Sequence, residues 1–203
     1  MIENYFKTLL FLAFLIIGSI LKADPYSLEN ISQYLQNLKI LKADFSQTNP
    51  DDTISSGTIL IKRPGRMRFE YYKPDNTLVL VSAGALAIFD PNGDDKPITY
   101  PIRNNPISLI LKGEVDLLNS RIVGNYKVSD EKGVLMIKDP QTPELGSVEL
   151  IFTGAKPELE KFTIINENGS STSILLKDIE YPKKLNDTLF SIPLETNKRR
   201  VKN

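Results

Sequence analysis

Two Asp-Asp pairs, Asp51-Asp52 and Asp94-Asp95, are the nearest approach to paired acid–base groups in this 203-residue chain. Catalytic carboxylates must face one another across a cleft, with one pKa displaced. Both pairs lie in turn-like sequence instead, which predicts solvated turn residues. Asp90-Pro91-Asn92-Gly93-Asp94 partly follows a calcium loop but lacks the regular spacing and the closing Glu. The chain has no Cys and no His. That excludes a thiol nucleophile, a Ser-His-Asp triad, a Cys/His zinc site, imidazole acid–base chemistry and any disulfide. No Gly-rich phosphate loop or GxSxG elbow occurs. Asn30-Ile31-Ser32, Asn168-Gly169-Ser170 and Asn186-Asp187-Thr188 fit the glycosylation pattern, which is too short to carry weight. The expectation is therefore a protein that is not an enzyme, with no cofactor and no metal.

Charge is balanced, with 25 basic and 25 acidic residues, so nothing favours nucleic acid as a partner. Residues Leu9–Leu21 form an apolar run, LLFLAFLIIGSIL, shorter than the roughly 20 residues of a membrane span. It suits the core of a signal peptide covering 1–23, cleaved after about Ala23; a retained anchor is the alternative. Without residues 1–23 the chain carries 23 basic and 24 acidic residues, net −1. An exported chain without disulfides fits a bacterial periplasm. Lys198 to Lys202, KRRVK, ends the chain as a basic tail over 196–203. It reads either as a solvated end or as a docking segment for an acidic partner or an anionic membrane surface.

The elements are mainly β. Leu28, Ile31, Leu35 and Leu38 share one helical face and predict a helix over Ser27–Leu41, with Ser27 as N-cap. Strand signals occur at Ala43–Thr48, Gly57–Arg63, Arg66–Tyr72, Thr77–Ser82, Leu86–Phe89, Ile98–Ile102, Ile122–Ser129, Gly133–Lys138, Ser147–Thr153, Leu159–Asn166, Thr172–Glu180 and Thr188–Ile192, twelve segments that predict about eleven short strands in one domain. Asn168-Gly169 signals a hairpin. Asn105-Pro106 opens a short apolar helix through Ile107, Leu109, Ile110 and Leu111; Val115–Asn119 adds a further helical turn. Several strands, such as Leu78-Val79-Leu80-Val81, are apolar on both faces, which suits a sheet curved around an interior and also covered by helices. Such an interior can be a filled core or a hydrocarbon site. Burial is worth about 0.8 kcal/mol per methylene, so a C16 chain offers on the order of 10 kcal/mol before entropy is subtracted. A carrier must also release its cargo, so its cavity should be imperfect or closed by its own lid when empty.

The order of motifs resembles the LolA family of periplasmic lipoprotein carriers. Ala43-Asp44-Phe45-Ser46-Gln47 is similar to that family's Phe-x-Gln opening strand. Gly57-x-Ile59-x-Ile61-Lys62-Arg63-Pro64-Gly65 runs on into Arg68-Phe69-Glu70-Tyr71, Pro74-Asp75, Leu80-Val81-Ser82-Ala83-Gly84 and Phe89-Asp90-Pro91. Asn105-Pro106 before Ile107–Leu111 resembles the family's middle helix, and Phe190-Ser191-Ile192-Pro193 its closing strand. The likeness covers roughly 24–195. It departs at Ala83, where the family has an acidic residue, and at Ala87-Ile88, where it commonly has a Trp.

The resemblance implies a half-open, strongly curved antiparallel barrel of about eleven strands, with an N-terminal helix and short lid helices over an apolar concave face. It implies a monomer that takes the acyl chains of lipoproteins from an inner-membrane ABC transporter of the Lol type and passes them to an outer-membrane, LolB-like acceptor. A LolA-like sensor that docks other envelope proteins is the alternative. Arg63 matches the Arg that latches the lid; a strand-end surface Arg is the other reading. Met67 and Phe69 line the acyl face or serve as core. Ile107, Leu109, Ile110 and Leu111 are lid residues or ordinary core.

Overall fold

The computed structural model describes residues 24–202 except 94, 95, 119, 120 and 130. The expected signal peptide and the Asp94-Asp95 pair lie outside the described residues. Helix α1 (Leu28–Asn37) precedes the strands β1 (Ile40–Thr48), β2 (Ile54–Lys62), β3 (Arg66–Tyr71), β4 (Leu78–Ser82), β5 (Ala85–Phe89) and β6 (Ile98–Pro101). After the 3-10 segments Ile102–Asn104 and Pro106–Leu109 come β7 (Val123–Val128), β8 (Gly133–Lys138), β9 (Gly146–Thr153), β10 (Glu158–Asn166) and β11 (Ser171–Glu180). A 3-10 turn, Asp187–Phe190, leads into helix α2 (Ile192–Lys202).

All eleven strands belong to one sheet, in the order β6-β5-β4-β3-β2-β1-β11-β10-β9-β8-β7. Every neighbouring pair is antiparallel. Two meanders meet along β1 and β11, and β6 and β7 remain as edges, so the sheet is curved but unclosed. Opposed residues share a face, which aligns inward side chains into rows. One row runs Ile61–Met67–Val81–Leu86–Tyr100, and its neighbour Ile59–Phe69–Val79–Ile88–Ile98. Across the seam, Leu135, Leu150, Phe162 and Ile174 form a third. The buried members of these rows, the α1 residues Ile31 and Leu35, and Ile107, Leu109, Ile110 and Leu111 make one apolar cluster.

The apolar outer face of β4 has its own cover. Leu78, Leu80, Ala87 and Phe89 are buried beneath Ile192 of α2. Sheet faces that were apolar twice over are thus covered twice, by α1 and the 107–111 segment inside and by α2 outside.

Several boundaries differ from the sequence reading. α1 ends at Asn37, and Leu38 is already extended. Leu41 is where helical spacing and strand alternation coincide: it lies three residues after Leu38, and it opens the period of two that Ala43 and Phe45 follow into the core. Val115–Asn119 is not helical over its described residues; Val115 and Leu117 are buried in irregular chain. Ile98–Ile102 loses its last residue to a 3-10 turn. The strand expected at Thr188–Ile192, the family-like closing strand, is absent. Asn186 accepts the Thr188 N–H at 3.1 Å and the Ser191 hydroxyl accepts the Leu194 N–H at 3.4 Å, so two side-chain caps turn this stretch helical. α2 therefore contains Lys198 to Lys202, which the solvated-end reading left without structure. Asn168-Gly169 does form a hairpin, but only Gly169 has positive φ, and the loop closes through Asn166 and Ser170 rather than through a two-residue turn.

Candidate functional site

Arg63 follows Ile59 and Ile61 on the inward side of β2 and is 5% exposed. Its Nε donates to the Lys112 carbonyl at 2.6 Å. Its Nη1 donates to the Leu38 carbonyl at 3.2 Å and also to that of Leu35. The last two are carbonyls at the C-terminal end of α1, where backbone oxygens lack helical partners and the helix dipole is negative. A guanidinium, with five donors and a permanent charge, meets both needs at once. Burial lowers its pKa from the ordinary value; Arg stays protonated in proteins regardless. Nη2 is buried without a partner. Backbone bonds reinforce the strap: Arg63 N–H to Lys39 O at 2.8 Å and Gly65 N–H to Leu111 O at 2.9 Å. The β2–β3 turn thereby holds both α1 and the 107–112 segment.

That segment is the second half of the cover. Asn105 accepts the Ile107 N–H at 3.0 Å, and Pro106 sits at the first helical position. Ile107, Leu109, Ile110 and Leu111 are all buried in the main cluster. The regular part is a 3-10 helix ending at Leu109, so Ile110 and Leu111 follow it rather than belong to a longer helix.

Met67 and Phe69 lie on β3 beneath this cover, both buried. Phe69 meets Phe45 edge-to-face with centroids 5.2 Å apart, and Phe45 meets Tyr71 likewise at 5.1 Å. The Tyr71 hydroxyl donates to Gln47 Oε1 at 2.7 Å, and burial pushes its pKa up to about 12. Phe45, Tyr71 and Gln47 extend the site beyond the residues singled out in sequence. The alternation of β1 and β3 carried the signal, but their meeting depends on register.

Covering is incomplete toward one edge. Along the Met67 row, Leu86 is half-buried and Tyr100 is 53% exposed; along the Phe69 row, Val79 and Ile88 are half-buried and Ile98 is 57% exposed. The concave face is thus a continuous apolar track, roofed at its centre and open at β6. Away from β6, a groove of about 740 Å³ lies between the end of α1 and the β9–β10 turn, with Tyr34, Lys39, Glu158 and Tyr181 in its lining. There the Tyr181 hydroxyl donates to Glu158 at 2.8 Å and lies 3.1 Å from that of Tyr34. Burial, then those neighbours, raise its pKa.

The family model described as outer membrane lipoprotein carrier protein LolA matches residues 36–193. The chain belongs to the LolA family. Two relatives carry the name outer-membrane lipoprotein carrier protein. That of Methylococcus capsulatus is 24% identical, with 91% of this chain and 92% of the relative covered. That of Dechloromonas aromatica is 29% identical, with 79% and 80% covered. Among solved structures, a putative outer membrane lipoprotein-sorting protein domain from Vibrio parahaemolyticus superposes with a TM-score of 0.50 at 10% identity, covering 83% of this chain and 96% of that one. It supports the LolA-like fold of a curved, unclosed sheet. In this LolA-family chain the Asp51-Asp52 pair is a turn: Asp51 accepts from the Thr53 N–H and hydroxyl, which lower its pKa, and Asp52 has positive φ. Among the described residues no helix is long and apolar enough to cross a membrane, and no cluster of three carboxylates is placed to hold a metal.

Proposed function

We propose that this protein is a periplasmic carrier that binds the acyl chains of lipoproteins on the concave face and delivers them to the outer membrane. The observation that carries the reading is the apolar track, roofed by a lid that Arg63 straps shut and open at Ile98 and Tyr100. Family membership and the carriers among its relatives support it. The cargo comes from an inner-membrane ABC transporter of the Lol type and leaves to a LolB-like acceptor. No bond is broken; exchange of apolar contacts suffices.

Magnitudes favour reversible exchange. Burying four side chains such as Ile107, Leu109, Ile110 and Leu111 is worth roughly 6 to 12 kcal/mol gross. A C16 chain offers about the same. Neither occupant dominates, so the lid competes with cargo and hand-over is possible. Met67 and Phe69 form the floor that both would contact, and Met67 adapts to either because it is unbranched and flexible.

The test mixes the processed protein with a purified acylated lipoprotein in detergent-free buffer. A soluble complex is expected; persistent aggregation of the lipoprotein overturns the reading. Ile98→Asp with Tyr100→Asp changes only half-exposed side chains, so folding is retained and loading slows at least severalfold. Arg63→Leu takes up cargo but passes it on poorly, because the unlatched lid no longer competes.

A further inference from the structure

Helix α2 plays no part in the acyl track, yet its two sides differ sharply. The inner side is fastened to the convex face. Ile192 packs on Leu78, Leu80, Ala87 and Phe89. The Arg199 guanidinium lies 4.9 Å from the centre of the Phe89 ring. Glu195, only 15% exposed, has Arg68 and Lys198 at 3.8 Å and Arg199 at 3.7 Å. The outer side carries Leu194, Asn197, Lys198 and Val201 at i, i+3, i+4 and i+7, a single helical stripe. All four are exposed, Leu194 by 44% and Val201 by 87%, and Arg200 is exposed alongside.

Charge is concentrated on this element. α2 has four basic residues against Glu195, net +3, whereas residues 24–191 hold 19 basic and 23 acidic, net −4. An acidic body thus bears one cationic helix with apolar residues near both ends of its free stripe. We propose that the outer face of α2 docks on the surface of an anionic phospholipid bilayer. Lys198 and Arg200 meet the headgroup charge, and Leu194 and Val201 reach the acyl boundary. That mixture suits a lipid interface, where cations and apolar side chains side by side are both satisfied. A purely acidic protein surface would leave Leu194 and Val201 without a partner.

The position of α2 gives docking a consequence. β5 sends Ala87 and Phe89 outward beneath α2 and Leu86 and Ile88 inward beside Tyr100 and Ile98. One sheet thickness separates the docking helix from the open end of the track. A bilayer held by α2 therefore lies against the convex side, with the sheet between it and the open end of the track. This consequence rests on the carrier reading; the docking itself does not.

The experiment is co-sedimentation of the processed chain, free of lipoprotein, with vesicles of one-third phosphatidylglycerol in phosphatidylcholine, and with phosphatidylcholine alone. Binding to the anionic vesicles only, lost at high salt, is expected. Each surface cation is worth about fivefold in affinity, so Lys198→Glu with Arg200→Glu should weaken binding on the order of 25-fold or more. Leu194→Ser with Val201→Ser should weaken it severalfold. Lipoprotein uptake from solution should be unchanged in both variants, and thermal unfolding lowered by a few degrees at most through loss of the surface Lys198–Glu195 pair, which separates this proposal from the carrier reading. Absence of binding to anionic vesicles at low salt, or binding indifferent to the charge reversal, overturns it. So does equal binding to polyglutamate together with indifference to the serine variants, which would make an acidic polypeptide the occupant.

Discussion

Ala83 shows how much one backbone dihedral can carry. Ser82 opposes Ala85, so Ala83-Gly84 is a two-residue hairpin turn, and both have positive φ, 50° and 79°. Gly84 adopts that region freely; Ala83 does so against a Cβ clash that costs roughly 1–2 kcal/mol. In sequence Ala83 stood out as a departure from the family's acidic residue, and the turn supplies the physical content of that departure. Asn and Asp tolerate this region because their short polar side chains bond locally, and Asn-Gly is a favoured pair for such turns. Ala83→Asn should therefore stabilise the protein by about 1 kcal/mol, read as a higher urea midpoint at constant m-value. Destabilisation would mean that the turn is shaped by contacts beyond its own dihedrals. Arg63 is the opposite case at the same scale. The family resemblance, not its spacing, marked it as a latch candidate; its partners are the carbonyls of Leu35, Leu38 and Lys112, and backbone acceptors leave no trace in side-chain pattern.

At the scale of elements, β1, β2 and β3 pack so closely that one position accepts only hydrogen. A Cβ on Gly57 would stand 2.0 Å from the Glu70 carbonyl oxygen and 2.8 Å from Phe45 Cε1. The first neighbour is backbone and cannot swing away, and the second is fixed by Phe69 and Tyr71. Gly57→Ala should cost on the order of 3 kcal/mol through overpacking, measured by chemical denaturation, with Phe45→Leu in the same chain relieving part of the loss. No relief would place the strain wholly in the backbone. The strands themselves were legible because alternation survives in each: Met67 and Phe69 inward, Arg68 and Glu70 outward. Elements failed where two periods agree. Leu41 fits both the helical spacing through Leu35 and Leu38 and the alternation of β1, so the helix looked longer than it is. Phe190 and Ile192 alternate like a strand, but the caps at Asn186 and Ser191 convert the stretch into the turn and helix that cover β4 and β5 from outside. Composition could not say which face of the sheet they would seek, since both faces are apolar.

For the whole molecule the question is whether sheet and lid form one cooperative unit or two. The sheet is tied by continuous ladders from β6 to β7. The lid, by contrast, joins the β2–β3 turn through a handful of bonds from Arg63 and Gly65, beyond its apolar contacts. Elements with few anchors open at lower free energy than the global transition. Arg63→Leu keeps bulk and apolarity, removes the unpaired Nη2, and leaves three carbonyls without their donor. Replacing a buried charge by an apolar residue can be neutral to global stability, so the sheet should remain intact. The lid loses charge-assisted bonds worth about 1.5–3 kcal/mol each, partly recovered through water. Amide exchange in 28–37 and 107–112 should then accelerate about 10- to 100-fold while β2, β3, β9 and β10 stay protected. Uniform acceleration would show that lid and sheet unfold together. Unchanged lid exchange would show that Ile107, Leu109, Ile110 and Leu111 hold the cover by packing alone. Selective acceleration makes Arg63 the bond that holds the cover shut and whose release opens it without unfolding what lies beneath, which is the property a carrier requires.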